Sequence, residues 1–283
     1  MRSNTGQILY IPRIGQRADF QHPLMRGCLG WWPLNDGGGD IAKDLSGNGN
    51  DGTAAGSATF ETTSLGVSAD YDGSASFHWL ADSFSYTTAL TVSCWFRSDG
   101  TGVEQPAFCK GRSNDCTWWL GTNSSNGLRF ATKKGGSLFR IDHSVSSIAD
   151  WHHLVLVQTT TGIGIQAYVD GVSVYSGGNT GSFWSSSRIP IIGAGTLSTS
   201  TPPSSIEDFE GNVQNTRIWD RALSPTEILE LYTNPWAGLS IPSETRYFLP
   251  LSQPSPTINP FSKIITSSTI LNTSGKTVIR RGV

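Results

Sequence analysis

Residues 42–53 read Ala-Lys-Asp-Leu-Ser-Gly-Asn-Gly-Asn-Asp-Gly-Thr, and three chemistries can be drawn from them. Gly47, Gly49 and Gly52 make a G-x-G-x-x-G run, which cradles a pyrophosphate when a strand leads in and a helix leads out. That context is missing, because Thr53-Ala-Ala-Gly-Ser-Ala-Thr59 continues as strand-like sequence. Asp44, Ser46 and Asn48 stand at alternate positions, each with a side-chain oxygen for calcium, and Gly49 allows the sharp bend. The twelfth position of such a loop should carry a bidentate glutamate, and here it is Ala55. The third reading is a plain turn, in which Asn and Asp tolerate left-handed backbone and cap their own chain. On sequence, calcium and the turn both stay open.

Carboxylates cluster once more, in Glu207-Asp208-Phe209-Glu210. Glycoside hydrolysis needs two carboxylates facing one groove, and on a strand Asp208 and Glu210 would share a face. Ile206 and Asn212 leave no third alternate acid, and Pro202-Pro203-Ser204-Ser205 lies alongside, so the cluster reads as a solvated loop. His152 and His153 are consecutive, face opposite sides of a strand, and are expected to be structural. No G-x-S-x-G elbow supports a nucleophilic serine. Aromatic rings offer a different chemistry, since the CH-rich face of a sugar stacks on them. Trp118, Trp119 and Trp184 sit among polar residues and are the candidate glycan contacts. Two adjacent tryptophans cannot both face inward on one strand, so one of Trp118 and Trp119 is expected at the surface.

The elements that must position these residues are short strands. The 283 residues include 32 Gly, 14 Pro and 10 Trp, a composition of tight turns and aromatic cores. Net charge is −2 with 15% charged residues, which leaves no basic field for nucleic acid. No run reaches the length of a membrane span, and the N-terminus lacks a signal-peptide run, so synthesis in the cytoplasm is expected. Cys28, Cys94, Cys109 and Cys116 lack the paired spacing of a zinc site and are not expected to pair as disulfides.

Leu90, Val92, Cys94 and Phe96 alternate with Thr91, Ser93 and Trp95, the clearest strand. Residues 151–157 and 164–169 are two more, and Asp170-Gly171 predicts a tight hairpin turn into 172–175. Ser224-Pro225-Thr226-Glu227 predicts one short helix with a capping box. Residues 1–24 read as an extended arm, 25–236 as the body, and 237–283 as a proline-spaced tail with a candidate β-hairpin. Ile8, Tyr10, Ile264, Ile270 and Arg280 are the apolar and basic points by which these arms would attach to partners.

Six motifs stand in order: Gly30-Trp-Trp-Pro-Leu-Asn35, Asp44 to Gly52, Leu90-Thr-Val-Ser-Cys-Trp95, Trp151-His-His-Leu-Val155, Tyr168-Val-Asp-Gly-Val172 and Arg217-Ile-Trp-Asp-Arg-Ala-Leu-Ser224. Together they resemble the laminin-G-like, concanavalin-A-like jelly-roll domains over roughly residues 25–236. Asn234-Pro-Trp236 with its Pro-rich continuation resembles laminin-G-like reading frames of tailed phages. The resemblance implies an all-β, two-sheet antiparallel jelly-roll sandwich with one short helix and extended N- and C-terminal arms. It also implies a calcium site in which a loop aspartate meets an acidic pair just before the Arg-Ile-Trp run. Here that pair reads Gln214-Asn215, so the second carboxylate is missing.

The expected function is therefore non-enzymatic: a virion structural, decoration or fibre protein displayed on the virion surface. Its jelly roll would serve adhesion or bind a cell-surface glycan, and its arms would bind other virion proteins or further copies of itself. It would require no cofactor, with calcium as an optional addition. A free-standing, calcium-assisted lectin and a glycoside hydrolase are the alternatives.

Overall fold

The computed structural model describes the chain apart from residues 1–11, 13–14, 57, 81–83, 85, 179, 185–186, 200, 202, 205–206, 241–269, 272–276 and 279–283. Two antiparallel sheets face each other. The first runs β14 (Val172–Gly177), β13 (Ile165–Val169), β12 (His152–Thr159), β7 (Ala89–Ser98), β18 (Glu210–Trp219), β5 (Gly66–Asp72) and β4 (Thr59–Thr63). β1 (Cys28–Trp32) joins it by pairing with the second half of β18. The second sheet runs β11 (Ser137–His143), β10 (Leu128–Lys134), β9 (Asp115–Thr122), β8 (Gln105–Arg112), β15 (Pro190–Ile192), β6 (Phe77–Leu80), β3 (Gly52–Ala55) and β2 (Ile41–Ala42). A small ladder of β16 (Ala194–Gly195) and β17 (Glu207–Asp208) closes one end. This is the expected jelly-roll sandwich.

Period-two alternation fills the space between the sheets. Leu90, Val92, Cys94 and Phe96 of β7 enter the main core, where they meet Leu154 and Leu156 of β12 and Phe108, Trp118 and Phe130 of the facing sheet. Trp31 and Trp32 are consecutive, so they serve opposite faces. Trp32 lies in the main core and Trp31 in a second core on the outer side of the first sheet. Gly30 is required beside them, because a Cβ there would stand 2.1 Å from the Trp32 ring.

The second core is capped by α1 (Pro225–Thr233), whose Ile228 and Leu231 pack with Leu24, Met25, Trp219 and Trp236. The predicted capping box is present: Glu227 N donates to Ser224 Oγ at 3.3 Å and Ser224 N to Glu227 Oε2 at 2.8 Å. The Asp170-Gly171 turn is present as well, with φ of +52° and +78° as a primed turn requires.

The ends of the body lie outside the expected limits. Ala18 bridges Leu239, Asp19 N donates to Gly238 O, and Ser240 N to Arg17 O, so residues 17–24 and 237–240 belong to the packed body. The chain divides into Met1–Ser240 and Ile241–Val283. Within the second unit, β19 (Ile270–Leu271) pairs with β20 (Thr277–Val278) as a hairpin. Of the attachment points, Ile270 lies in β19, while Ile8, Tyr10, Ile264 and Arg280 fall outside the described residues.

One buried cation joins these parts. Arg217 is 1% exposed, and among the described residues no carboxylate lies within ion-pair distance of it. Its guanidinium instead donates to Ala237 O (2.8 Å), Pro235 O (2.9 Å) and Asn215 Oδ1 (3.1 Å), and stacks 3.8 Å above the Trp31 ring. Burial brings its pKa down to about 9. Lysine cannot reproduce this planar fork and stack. Arg217→Lys is expected to cost about 2–4 kcal/mol in urea unfolding, since carbonyls are left buried without donors.

Candidate functional site

The opening loop is turned inward. Asp44 Oδ1 accepts from Trp31 N (2.9 Å) and Ser46 N (2.8 Å), and Oδ2 from Ser46 Oγ (2.7 Å) and Asn50 N (2.9 Å). Four protein donors thus occupy the carboxylate proposed for calcium. Ser46 Oγ also accepts from Asn48 N, and Asn48 Nδ2 donates to Cys28 O at 2.9 Å. Asp44, Ser46 and Asn48 are brought together, but as a cap that ties the loop to β1. Asn215, at one position of the missing acidic pair, accepts from Trp31 Nε1 at 2.7 Å and donates to Pro235 O. Among the described residues no three His, Cys, Asp or Glu side chains converge as a metal cluster.

The tryptophans require correction. Trp118 and Trp119 are both 0% exposed, so neither can meet a glycan. Trp118 enters the main core, and Trp119 packs with Cys109, Cys116 and Ala131 on the other side of the sheet. The expected exposure fails because both faces of β9 are covered. Trp184 is half-buried, with the Lys133 ammonium 3.6 Å from its ring centre, so one face is already taken. The acidic cluster is also no solvated loop. Glu207 accepts from Ser113 Oγ (3.0 Å) and Trp119 Nε1 (3.1 Å), Phe209 is fully buried, and only Glu210 is exposed. All four cysteines are buried free thiols.

The open site lies elsewhere, on the part of the first sheet's outer face that α1 leaves uncovered. There a groove of about 820 Å³ is lined by Glu61, residues 62–64, Arg97, Asp150, Trp151, Asp170 and Tyr232. Register ties Arg97, which lines the groove, to a polar row across the sheet. Arg97, Asn212, Asp70 and Thr59 are successive cross-strand partners on β7, β18, β5 and β4. Hydrogen bonds follow the row: Arg97 Nε to Asn212 Oδ1 (2.6 Å), Asn212 Nδ2 to Asp70 Oδ1 (3.3 Å), Thr59 Oγ1 to Asp70 Oδ2 (3.2 Å). Burial raises the Asp70 carboxyl, and Glu61 and Asp99 nearby add to it. Tyr232 stacks on Trp95 at 5.7 Å, and Trp95 on His153 at 5.0 Å, forming one rigid aromatic end.

The two histidines hold the wall. His152 Nδ1 faces Asp170 Oδ2 at 2.9 Å, and Nε2 faces Ser147 O at 3.0 Å, which fixes the loop carrying Asp150 and Trp151. Burial opposes the charge on His152, but the two acceptors win and its pKa is raised. His153 lies 2.8 Å from Ser93 Oγ through Nε2, yet both are 1% exposed and His153 Nδ1 has no partner. Burial pushes His153 down to about 3 and His78 to about 4. The Ser93–His153 pair is sealed and lacks the third group of a triad.

Residues 69–229 match the Laminin_G_3 model, described as the Concanavalin A-like lectin/glucanases superfamily, over more than half of the chain. The chain belongs to that superfamily. No curated protein sequence matches it. Among solved structures, this superfamily member is similar to the binding domain of Paraclostridial Mosquitocidal Protein 1, with TM-score 0.58 and 15% identity over 74% of this chain and 52% of the other. Domain 4 of AbnA, a GH43 extracellular arabinanase from Geobacillus stearothermophilus in complex with arabinotriose, gives 0.54 and 18% over 72% of this chain and 98% of that one. A botulinum neurotoxin type C structure, whose cell entry depends on interaction with two ganglioside molecules, gives 0.53 and 14% over 74% and 51%. The chain spans about half the length of the toxin binding domains it matches. At these identities the likeness is one of fold.

Expectations follow from these contacts. Asp44→Asn is expected to lower stability by about 1–3 kcal/mol, because an amide nitrogen replaces one acceptor oxygen, while calcium or chelator leaves the wild-type Tm unchanged in a thermal scan. The raised pKa of His152 means its contribution is complete below the unfolded value of 6.5 and fades as pH rises through the folded value. His152→Ala should therefore cost more at pH 6 than at pH 9 in urea unfolding. His78 and His153 should stay neutral at pH 5 by NMR.

Proposed function

We propose that this jelly roll is a non-catalytic glycan-binding domain and that the groove beside α1 is where it holds sugar. One observation carries the reading: a polar groove of about 820 Å³, open to solvent, with Trp151 and Tyr232 in its lining. That volume is in the range of ligand sites. The hydroxyls of residues 62–64 and the carboxylates of Glu61 and Asp150 suit sugar hydroxyls, and the rings suit a CH face. The arabinotriose complex of one structural neighbour and the ganglioside dependence of another support a glycan as the ligand.

Binding is proposed to be independent of calcium, since the Asp44 oxygens serve the fold. The finer reading is that the domain is displayed on a virion surface. The separate 241–283 unit, with its short hairpin, supports a role in attachment to virion proteins or to a second copy.

The test is a glycan array probed with the full chain, in calcium and in chelator. Binding should be equal in both, and Trp151→Ala should weaken it about tenfold, the worth of one aromatic platform. An empty array, or a Trp151→Ala variant that binds as well as wild type, would sink the groove as the site. Deleting 241–283 should leave sugar binding intact while abolishing incorporation into particles.

A further inference from the structure

The charges around the groove are unevenly spent. Among the described residues Arg97 is the only lysine or arginine lining it, against Glu61, Asp150 and Asp170. The Arg97 guanidinium is already engaged: Nε with Asn212, and Nη2 with Glu61 at 3.1 Å and Asp99 at 3.7 Å. A single cation is therefore shared by two carboxylates. Asp170 has its own counter-charge in His152. Asp150 is exposed at the rim. Counting Glu61, Asp99, Asp150 and Asp170 against Arg97 and His152, negative charge remains in surplus even with His152 protonated.

An acidic sugar entering this groove would leave water without gaining a free guanidinium or ammonium, and would approach carboxylates that are already in excess. Like charges brought together across an interface cost affinity and exclude partners. A hydroxyl-rich sugar meets no such barrier, since Glu61 and Asp150 can accept from its O–H groups. We propose that the groove selects uncharged glycans and turns away their sialylated and sulfated forms. The inference rests on the glycan-binding reading above and adds the class of ligand. Selection here works by repulsion at Asp150 and by denying a partner at Arg97.

The full chain would be tested on an array of matched oligosaccharides, each neutral parent printed beside its sialylated and its sulfated form. The parent should bind at least about tenfold tighter than either acidic form at low salt, and the gap should narrow as salt is raised. Asp150→Lys, at an exposed loop position, should strengthen binding of the acidic forms relative to their neutral parents about tenfold. Acidic forms that bind as well as their parents would overturn the inference and leave glycan binding standing. So would an Asp150→Lys variant that shifts parent and acidic forms alike. An array with no binding at all would remove the glycan-binding reading itself and the inference with it.

Discussion

Arg217 is a buried charge with no carboxylate at ion-pair distance among the described residues. Carbonyls of the 235–237 turn, the Asn215 amide and the Trp31 ring together replace its water. Each of those groups belongs to a different segment, so satisfying one guanidinium fixes β1, β18 and the chain beyond α1 at once. A buried cation is a poor source of net stability, but it is a demanding one. Any arrangement that failed to bring all three segments together would leave it unpaired. The second core forms around this demand, with Trp31 stacked beneath and Trp236 and Leu239 following the clamped carbonyls.

That core also decides where the groove is. α1 and the segments held by Arg217 cover only one end of the first sheet's outer face. At the other end β4 and β5 extend the sheet past the helix, and Glu61 and Arg97 line the open groove. Tyr232 marks the border, since it belongs to α1 yet stacks on Trp95 of the sheet. The jelly roll thus carries a dry half and a wet half on the same surface.

Local signals in the sequence were reliable wherever local chemistry decides the outcome. Alternation in 90–96 gave β7, Asp170-Gly171 gave its turn, and Ser224 to Glu227 gave the cap of α1. What failed was inference about faces. Trp118 and Trp119 do point to opposite sides of β9, but the far side is roofed by Glu207, which lies 88 residues from Trp119. The same distance hid the candidate site. Glu61, Arg97, Asp150, Asp170 and Tyr232 come from two strands, a loop, a turn and α1, and their meeting depends on pairing and packing that no single stretch of sequence encodes. Asp44 was singled out as a calcium candidate, and its partners Trp31 N and Asn50 N are backbone groups that a residue pattern does not display.

The pairing of β1 with β18 has a temporal side. Trp31 and its partner Asn215 are separated by 184 residues, so a chain growing from its N-terminus makes one edge of the joint long before the other. At about 5–20 residues per second, β1 waits on the order of 10–40 s for its neighbour. During that interval the Gly30-Trp31-Trp32 stretch is an unpaired, aromatic strand edge beside a ribosome. An unpaired strand edge of this kind is a template on which another chain can pair.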